Sequence, residues 1–390
     1  MRPATRSYLD YNASAPVRPE VAEAVARALD LPGNPSSVHA EGRAARAALE
    51  RARAQVAALV EADPARVLFT SGGTEAVAVV LTPGLRRVGG EGAGRLLVGA
   101  AEHPCVLEGH RFKASRTERV AIAGDGRLCL SDLCRRLDAG EGETVLLSLQ
   151  TANNETGVLQ PLGKAAALVR ERGGLVHTDA VQAVGKLALR LADLGADALT
   201  LSAHKLGGPK GVGAVVLASD RIEIADRLLR GGGQERGQRA GTENLAGIIG
   251  FGVAAEIAAR DLAFEAARLA ALRDEAEAEL LRIAPDAVIF GRTVERLPNT
   301  LAFAVPGLKA ETALILFDLN GVSVSSGSAC SSGKVRRSHV LDAMGVEPSL
   351  AAGAIRVSFG WNSGREDVFR FAQTCETVLA ALYERKATAA

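Results

Sequence analysis

Apolar positions along the chain fall into two kinds of pattern. Near the N-terminus, residues 17–29 and 40–60 are rich in Ala and Arg with apolar side chains at helical spacing, which predicts two helices framing a core. From residue 67 onward, short β-branched or Leu-rich runs at 67–70, 96–98, 145–149, 175–177, 198–201 and 214–217 alternate with Gly-containing turns and helix-like segments. That alternation predicts an α/β domain built on a mostly parallel sheet. Ligands of such sheets gather at the carboxyl ends of the strands, so the residues directly after each run are where chemistry is expected.

A Gly-rich stretch, Gly231-Gly232-Gly233-Gln234-Glu235-Arg236-Gly237, interrupts this pattern and precedes a long helix-prone segment over 244–283, of a length that bridges domains. Beyond Pro285, strand-like runs at 300–305, 322–325 and 354–359 alternate with helices at 310–319 and 365–384, which reads as a small α+β domain. The chain has 390 residues, close to half of them apolar. Single cores stop growing at roughly 250–300 residues, so two domains are expected. Their expected division is an N-terminal segment 1–15 joining the small domain, a large domain 16–255 and a small domain 256–390. No internal repeat or low-complexity segment is present, and residues 386–390 are expected to be loose.

Charge narrows the partners. The 46 basic and 45 acidic residues nearly cancel, so no overall field favours nucleic acid or an anionic membrane, and a small molecule or a protein partner fits better. No uncharged apolar stretch approaches the ~20 residues of a membrane span. The opening residues lack the apolar run of a secretory signal, and a soluble, cytoplasmic protein is expected. Cys105, Cys129, Cys134, Cys330 and Cys375 are odd in number and irregularly spaced, with no C-x-x-C and no paired His. Neither a disulfide framework nor a zinc site is expected.

Three strand ends carry candidate chemistry. The run 67–70 leads into Ser71-Gly72-Gly73-Thr74-Glu75 and a helical pattern, a unit that aims backbone N–H groups and a hydroxyl at an anion such as phosphate, although a Gly pair before Thr is also an ordinary helix N-cap. In Leu175-Val176-His177-Thr178-Asp179-Ala180-Val181-Gln182 a carboxylate ends a buried strand, where it needs a cationic or donor partner unless it is simply a cap. Leu199-Thr200-Leu201-Ser202-Ala203-His204-Lys205 runs into Leu206-Gly207-Gly208, placing a lysine against the sheet. Desolvation there shifts an amine toward Schiff-base chemistry; exposed, the same lysine is a solvated charge. Phosphate cradle, carboxylate and lysine at successive strand ends are together the fittings of pyridoxal phosphate.

Seven motifs occur in order: Ser71-Gly72-Gly73-Thr74-Glu75, Glu102-His103, Asn153-Asn154-Glu155-Thr156-Gly157, His177-Thr178-Asp179-Ala180-Val181-Gln182, Ser202-Ala203-His204-Lys205, Arg239-Ala240-Gly241-Thr242-Glu243-Asn244 and Ser326-Gly327-Ser328-Ala329-Cys330. With Tyr8-Leu9-Asp10-Tyr11-Asn12 at the start, the set resembles the cysteine desulfurases of the class V aminotransferase family over almost the whole chain. The resemblance implies a fold-type I large domain with a mostly parallel, seven-stranded sheet, and a small α+β C-terminal domain carrying a catalytic cysteine loop. It implies pyridoxal 5'-phosphate as cofactor, L-cysteine as substrate, L-alanine as product and sulfur parked as a persulfide on Cys330.

By the same resemblance Lys205 would carry the Schiff base, Asp179 would hold the pyridine nitrogen protonated, and His103 would stack on the ring and assist proton transfers. Gln182 and Asn154 would meet the ring oxygen and the substrate region. Gly73, Thr74, Ser202 and His204 would bind the phosphate, helped by Thr242 of a second subunit in a homodimer. Arg356 would pair with the substrate α-carboxylate, a task suited to a guanidinium fork, though a lone Arg on a strand can also be a structural ion pair.

Cys330 lies in Ser325-Ser326-Gly327-Ser328-Ala329-Cys330-Ser331-Ser332-Gly333-Lys334, a run of small residues that predicts an accessible, mobile loop. A thiol near its free pKa of ~8.5 needs a nearby cation, such as Lys334, Arg336 or Arg337, or proton transfer to His103, to become a nucleophile. Cys129, Cys134 and Cys375 are expected to be buried, and Cys105 to be structural. The loop resembles that of the nitrogen-fixation and housekeeping branch, whose members feed iron–sulfur scaffold proteins. Two stretches depart from the family pattern, Ala76-Val77-Ala78-Val79 after Glu75 and residues 334–337 beside the loop. An aminotransferase or selenocysteine lyase would use the same Lys205, Asp179 and Thr74, but transamination has no need of Cys330; a non-catalytic scaffold would need still fewer of these groups.

Overall fold

The structure is a computed structural model describing residues 6–140, 142–326 and 337–389, with side chains described to residue 380. Seven strands make the main sheet: β1 (Val67–Thr70), β2 (Arg95–Gly99), β3 (Thr117–Val120), β4 (Val145–Ser148), β5 (Leu175–Asp179), β6 (Ala198–Ser202) and β7 (Gly213–Leu217). Their order is β1-β7-β6-β5-β4-β2-β3, and only β7 runs antiparallel to its neighbours. The central strands are buried on both faces, which is why they read as continuous apolar runs. β3 escapes such a reading: Thr-Glu-Arg-Val sits at the sheet edge with only Val120 buried. No described helix is long and apolar enough to cross a membrane.

Four helices tie this sheet to the rest of the chain: α1 (Pro19–Leu29), α2 (Ala40–Ala58), α3 (Gly73–Val80) and α4 (Leu245–Ile283). Asn244 starts α4 by accepting the Gly247 N–H at 3.2 Å, the N-cap geometry that opens a helix. The first part of α4 places Ile248, Phe251, Ala254, Ala255 and Ala258 in the core around the sheet, with Val21 of α1 and Leu49 and Val56 of α2. Its second part places Leu269, Leu272, Ala276 and Leu280 in another core, with Phe303, Phe317 and Phe371. One helix therefore serves two hydrophobic cores.

The second core lies behind a three-stranded antiparallel sheet, β8 (Val288–Ile289), β9 (Thr300–Ala304) and β10 (Ile355–Ser358). Strand period two sends Leu301, Phe303, Ile355 and Val357 into this core and Ala302 and Ala304 toward the main one. Ala302 pairs with Arg356, so the guanidinium leaves on the face toward the large sheet. Ser7–Tyr8 pairs in parallel with Val322–Ser323, Leu9 enters the second core, and the chain then crosses toward the main sheet at Asp10–Asn12. The C-terminal helix, Arg365–Ala389, continues through residues expected to be loose, because nothing in Glu-Arg-Lys-Ala-Thr-Ala stops a helix.

Arg53 and Glu235 form a buried ion pair through two parallel N–H···O bonds of 2.8 Å. Glu235 Oε2 also accepts the Phe69 N–H at 2.9 Å, and Arg53 donates to the Val67 carbonyl and lies over the Phe69 ring. Glu235 and Arg236 adopt left-handed φ of 46° and 57°, which costs stability in non-glycine residues and needs such support. The pair fastens the Gly-rich segment to α2 and β1. Removing one partner strands the other charge, so Glu235→Ala is expected to lower unfolding free energy by about 3–5 kcal/mol in urea titration; a loss below about 1 kcal/mol would show that the segment holds itself.

Candidate active site

A cavity of about 590 Å³ opens at the carboxyl end of the main sheet and is closed on its far side by the small sheet and the N-terminal segment. Its lining includes Asp10, Asn12, Gly73, Thr74, His103, Cys105, Asn154, Gln182, Ser202, His204, Lys205, Ser326 and Arg356. β1 delivers Gly73 and Thr74 at the first turn of α3, where backbone N–H groups lack intrahelical acceptors. A Cβ on Gly73 would touch Val181 and Ser202 at 3.4 and 3.5 Å, so this turn sits against the ends of β5 and β6. Gly213 of β7 has no such room: a Cβ there would fall 2.5 Å from the Gly72 carbonyl carbon.

Lys205 follows β6 in a single 3-10 turn and donates from Nζ to the carbonyls of Asn12 and, at 2.8 Å, Ala13. Burial, then the Arg356 charge, brings its ammonium down to about 8, against the pull of Asp10 and Asp179. Asp179 ends β5 and accepts the Val181 N–H at 2.9 Å; burial still pushes its carboxyl up to about 6. Desolvation by the cavity walls lowers His103 to about 4, although its side chain stands open to the cavity, with the charges of Lys205 and His339 acting in the same direction, and burial lowers His204 to about 4 as well. Both imidazoles are therefore neutral near pH 7.

Beneath the cavity, side chains cross three strands as one polar line. His177 bonds Ser148 Oγ at 2.9 Å through Nδ1 and Thr200 Oγ1 at 3.2 Å through Nε2, and burial drives it down to about 3. Glu102, fully buried beside His103, takes the Gln150 N–H on Oε1 and is pushed well above the usual carboxylate range by burial and by Asp179. Arg356 bonds the Asn154 carbonyl at 2.9 Å and Asp10 Oδ1 at 2.7 Å, while its buried Nε has no partner among the described residues. Ser338 donates to Glu155, and His339 bonds the Glu102 carbonyl at 2.8 Å.

Nine sequence-derived site residues thus share one cavity: Gly73, Thr74, His103, Asn154, Gln182, Ser202, His204, Lys205 and Arg356. Asp179 lies next to them within the field of Lys205. Thr242 lies elsewhere, exposed beside a separate small cavity with Arg239 and Asn244. Cys330 lies outside the described residues, as do Lys334 and Arg336. Arg337 pairs with Asp342. Asp10 and Asn12 belong to the opening motif of the resemblance without an assigned role, and His339 carries no signal in the sequence that assigns it here, because their partners are distant in the chain.

Cys105 lines the cavity. Two other cysteine expectations need correcting. Cys129 and Cys134 are only partly buried, while Cys375 is fully so, because Cys129 sits at the N-cap of the helix Leu130–Asp138. The altered stretch after Glu75 is packed, with Ala76, Val77 and Val79 buried on α3.

Pyridoxal phosphate fits this set. The hydroxyls of Thr74 and Ser202, with the α3 turn and His204, form a donor cluster on the cavity wall, while Glu75 of that turn is held by Arg239 and the Ser71 N–H. Asp179 is a carboxylate whose burial is offset by few donors, and a ring cation would complete it. Lys205 stands in the same cavity with a softened amine.

Residues 7–371 match the family described as aminotransferase class-V. A cysteine desulfurase of Gluconacetobacter diazotrophicus is 40% identical over 97% of this chain and 94% of its own length. The cysteine desulfurase IscS of Dictyoglomus turgidum is 38% identical over 96% of this chain and 95% of its own. The X-ray structure of a NifS-like protein from Rickettsia africae superposes with a TM-score of 0.86 at 30% identity, covering 96% of this chain and 99% of that one.

The polar line under the cavity makes stability depend on pH. His177 is neutral in the fold down to about 3, whereas an unfolded histidine takes a proton near its ordinary 6.5. Stability is thus lost as pH falls below about 6.5, at about 1.4 kcal/mol per unit. Between pH 7 and 5 the parent is expected to lose about 2 kcal/mol more than His177→Gln in urea unfolding; equal losses would mean that His177 is protonated in the folded protein.

Proposed function

Since the chain belongs to the aminotransferase class-V family, we propose that it is a cysteine desulfurase, taking sulfur from L-cysteine, holding it as a persulfide on Cys330 and releasing L-alanine. The observation that carries this reading is the convergence of Lys205, His103 and Arg356 on one cavity of cofactor size, with Asp179 beside it within the field of Lys205. In this reading Lys205 holds the aldehyde of pyridoxal phosphate, Asp179 its ring nitrogen, and Gly73, Thr74, Ser202 and His204 its phosphate. Thr242 completes the phosphate site of a second copy in a homodimer, which is consistent with its exposure away from the cavity of its own chain. When bound, the cofactor supplies an electron sink for charge leaving the substrate Cα.

The chain's own residues do the rest. Arg356 orients the substrate α-carboxylate through the side of its fork where Nε is unpaired, next to Asp10 on Nη2. With the cofactor bound, His103 would stack on its ring, Gln182 and Asn154 would border the ring oxygen and the substrate, and Lys205 would exchange protons from an amine held near 8. The Cys330 thiolate attacks the substrate sulfur: an S–S bond forms, the C–S bond breaks with its pair going to carbon, and carbon takes a proton to give alanine. Described residues on both flanks of 327–336 meet the site, Ser326 at the cavity wall and His339 on the Glu102 carbonyl, which supports a sulfur acceptor carried between them. An iron–sulfur scaffold protein is the proposed recipient of the sulfur. The proposed division at residue 15 is supported by the entry of Leu9 into the second core, while along α4 the change of core falls between Ala258 and Leu269, beyond the proposed boundary at 255.

Purified yellow protein given L-cysteine and a thiol reductant is expected to form alanine, and one persulfide per chain under single turnover. Cys330→Ala should retain the cofactor absorbance and lose alanine formation by at least 100-fold, roughly 2.7 kcal/mol of transition-state stabilisation. Alanine formation by that variant at the parental rate would remove Cys330 as the sulfur acceptor.

A further inference from the structure

Cys105 has no part in the reaction as proposed, yet its side chain lines the same cavity. Its Sγ lies 3.0 Å from His103 Nδ1, and its backbone N–H points at that same nitrogen at 3.2 Å. An amide N–H can only donate, so Nδ1 must present its lone pair and the single proton of the neutral ring belongs on Nε2. With Nδ1 already an acceptor, the thiol has one consistent role there, as an S–H donor. Its proton is secure, because burial raises the thiol and the charges of Asp179 and Glu102 add to that effect. The Thr74 side chain also hydrogen-bonds this thiol, so the arrangement is continuous with the α3 turn.

We propose that Cys105 is a positioning residue for His103: two donors on Nδ1, one N–H and one S–H, fix the imidazole as its Nε2–H form and oppose the uptake of a second proton. The ring then meets the cavity as a neutral hydrogen-bond donor. To accept a proton at Nε2 it would have to move its own proton to Nδ1 and displace both donors. The use of that N–H in the reaction rests on the desulfurase reading, whereas the tautomer itself does not.

Other charged groups also act on His103. Lys205, after β6, and His339, from the short helix His339–Ala343, oppose a cationic ring. Asp179 at the end of β5 and Glu102 next in the chain have carboxyl groups close enough to act on Cys105. None of these is changed by substituting Cys105, so a difference between variants isolates the thiol.

The test uses the cofactor-loaded protein with ¹⁵N-labelled histidine, the His103 signals being assigned by their loss in His103→Gln. The parent should show an Nε2–H tautomer with a low titration midpoint. Losing one donor to the lone pair favours protonation, so Cys105→Ala should raise the His103 midpoint by roughly half to one pH unit. Cys105→Ser, which retains a donor, should stay with the parent. An unchanged midpoint in Cys105→Ala, or a Cys105→Ser protein that titrates like it, would overturn the assignment, as would an Nδ1–H tautomer in the parent. Alanine formation by the same samples tests the desulfurase reading separately, so failure of one is told apart from failure of the other.

Discussion

Unlike charges brought together in a half-buried cavity at one edge of a sheet are the constraint on which the rest of this structure depends. Lys205, Asp179, Asp10 and Arg356 would each be costly to desolvate alone, and each is held by a different part of the chain. Lys205 gives its protons to carbonyls of the N-terminal segment, and Arg356 reaches across from the small sheet to Asp10 and Asn154. The site is complete only when the main sheet, the small sheet and the crossing at Asp10–Asn12 are all in place. Asn12 shows how tightly these parts are joined: its Nδ2 bonds Thr300 of β9 at 2.9 Å, its Oδ1 accepts from Asn299 at 3.0 Å, and its carbonyl accepts from both Lys205 and Gln182.

That assembly explains why the hydrophobic work is divided as it is. α4 contributes to both cores, so neither core is free to shift without disturbing the other. β10 belongs to the small sheet through Ile355 and Val357, yet the residue between them is the guanidinium of the cavity. A one-residue slip of this strand would bury Arg356 in the second core and turn the apolar side chains toward the site, so the register is enforced from both faces. The polar line Ser148–His177–Thr200 has the same effect within the large sheet, tying β4, β5 and β6 together just below Asp179.

Much of this was legible because local chemistry and global position coincide. A parallel strand buried on both faces must be apolar along its length, and a residue that ends such a run must lie at the ligand-binding edge; Asp179 and Lys205 announce themselves in this way. β3 was not legible, since an edge strand with solvent on one side carries no apolar run. Nor was the Asp10–Arg356 pair, whose members lie 346 positions apart and meet only through the small sheet. The place of Cys105 beside the ring was hidden for a related reason. Two residues after a histidine it looks like a helix-turn residue, and only the N-cap geometry of His103 brings both its thiol and its amide to one ring nitrogen.

Proton accounting joins these observations to the proposed chemistry. Desulfuration moves a sulfur atom from carbon to sulfur and, in net terms, one proton from a thiol to carbon. A carrier for that proton must be able both to give and to take it near neutral pH. A neutral imidazole whose only proton is on Nε2, with its lone pair occupied on the opposite side, does neither readily, though it can polarise an oxygen or sulfur by hydrogen bonding, as neutral histidines do in other sites. The Lys205 amine, brought to about 8 by burial and by Arg356, meets both requirements. On this proposal Lys205 would carry the proton and His103 would act as a fixed donor, in place of the proton-transfer role that the resemblance implies for His103, and the two groups must then stay electrostatically distinct. The structure keeps them so by setting a cation beside the imidazole, which suppresses its protonation, and carboxylates near the lysine, which stop its amine from falling further.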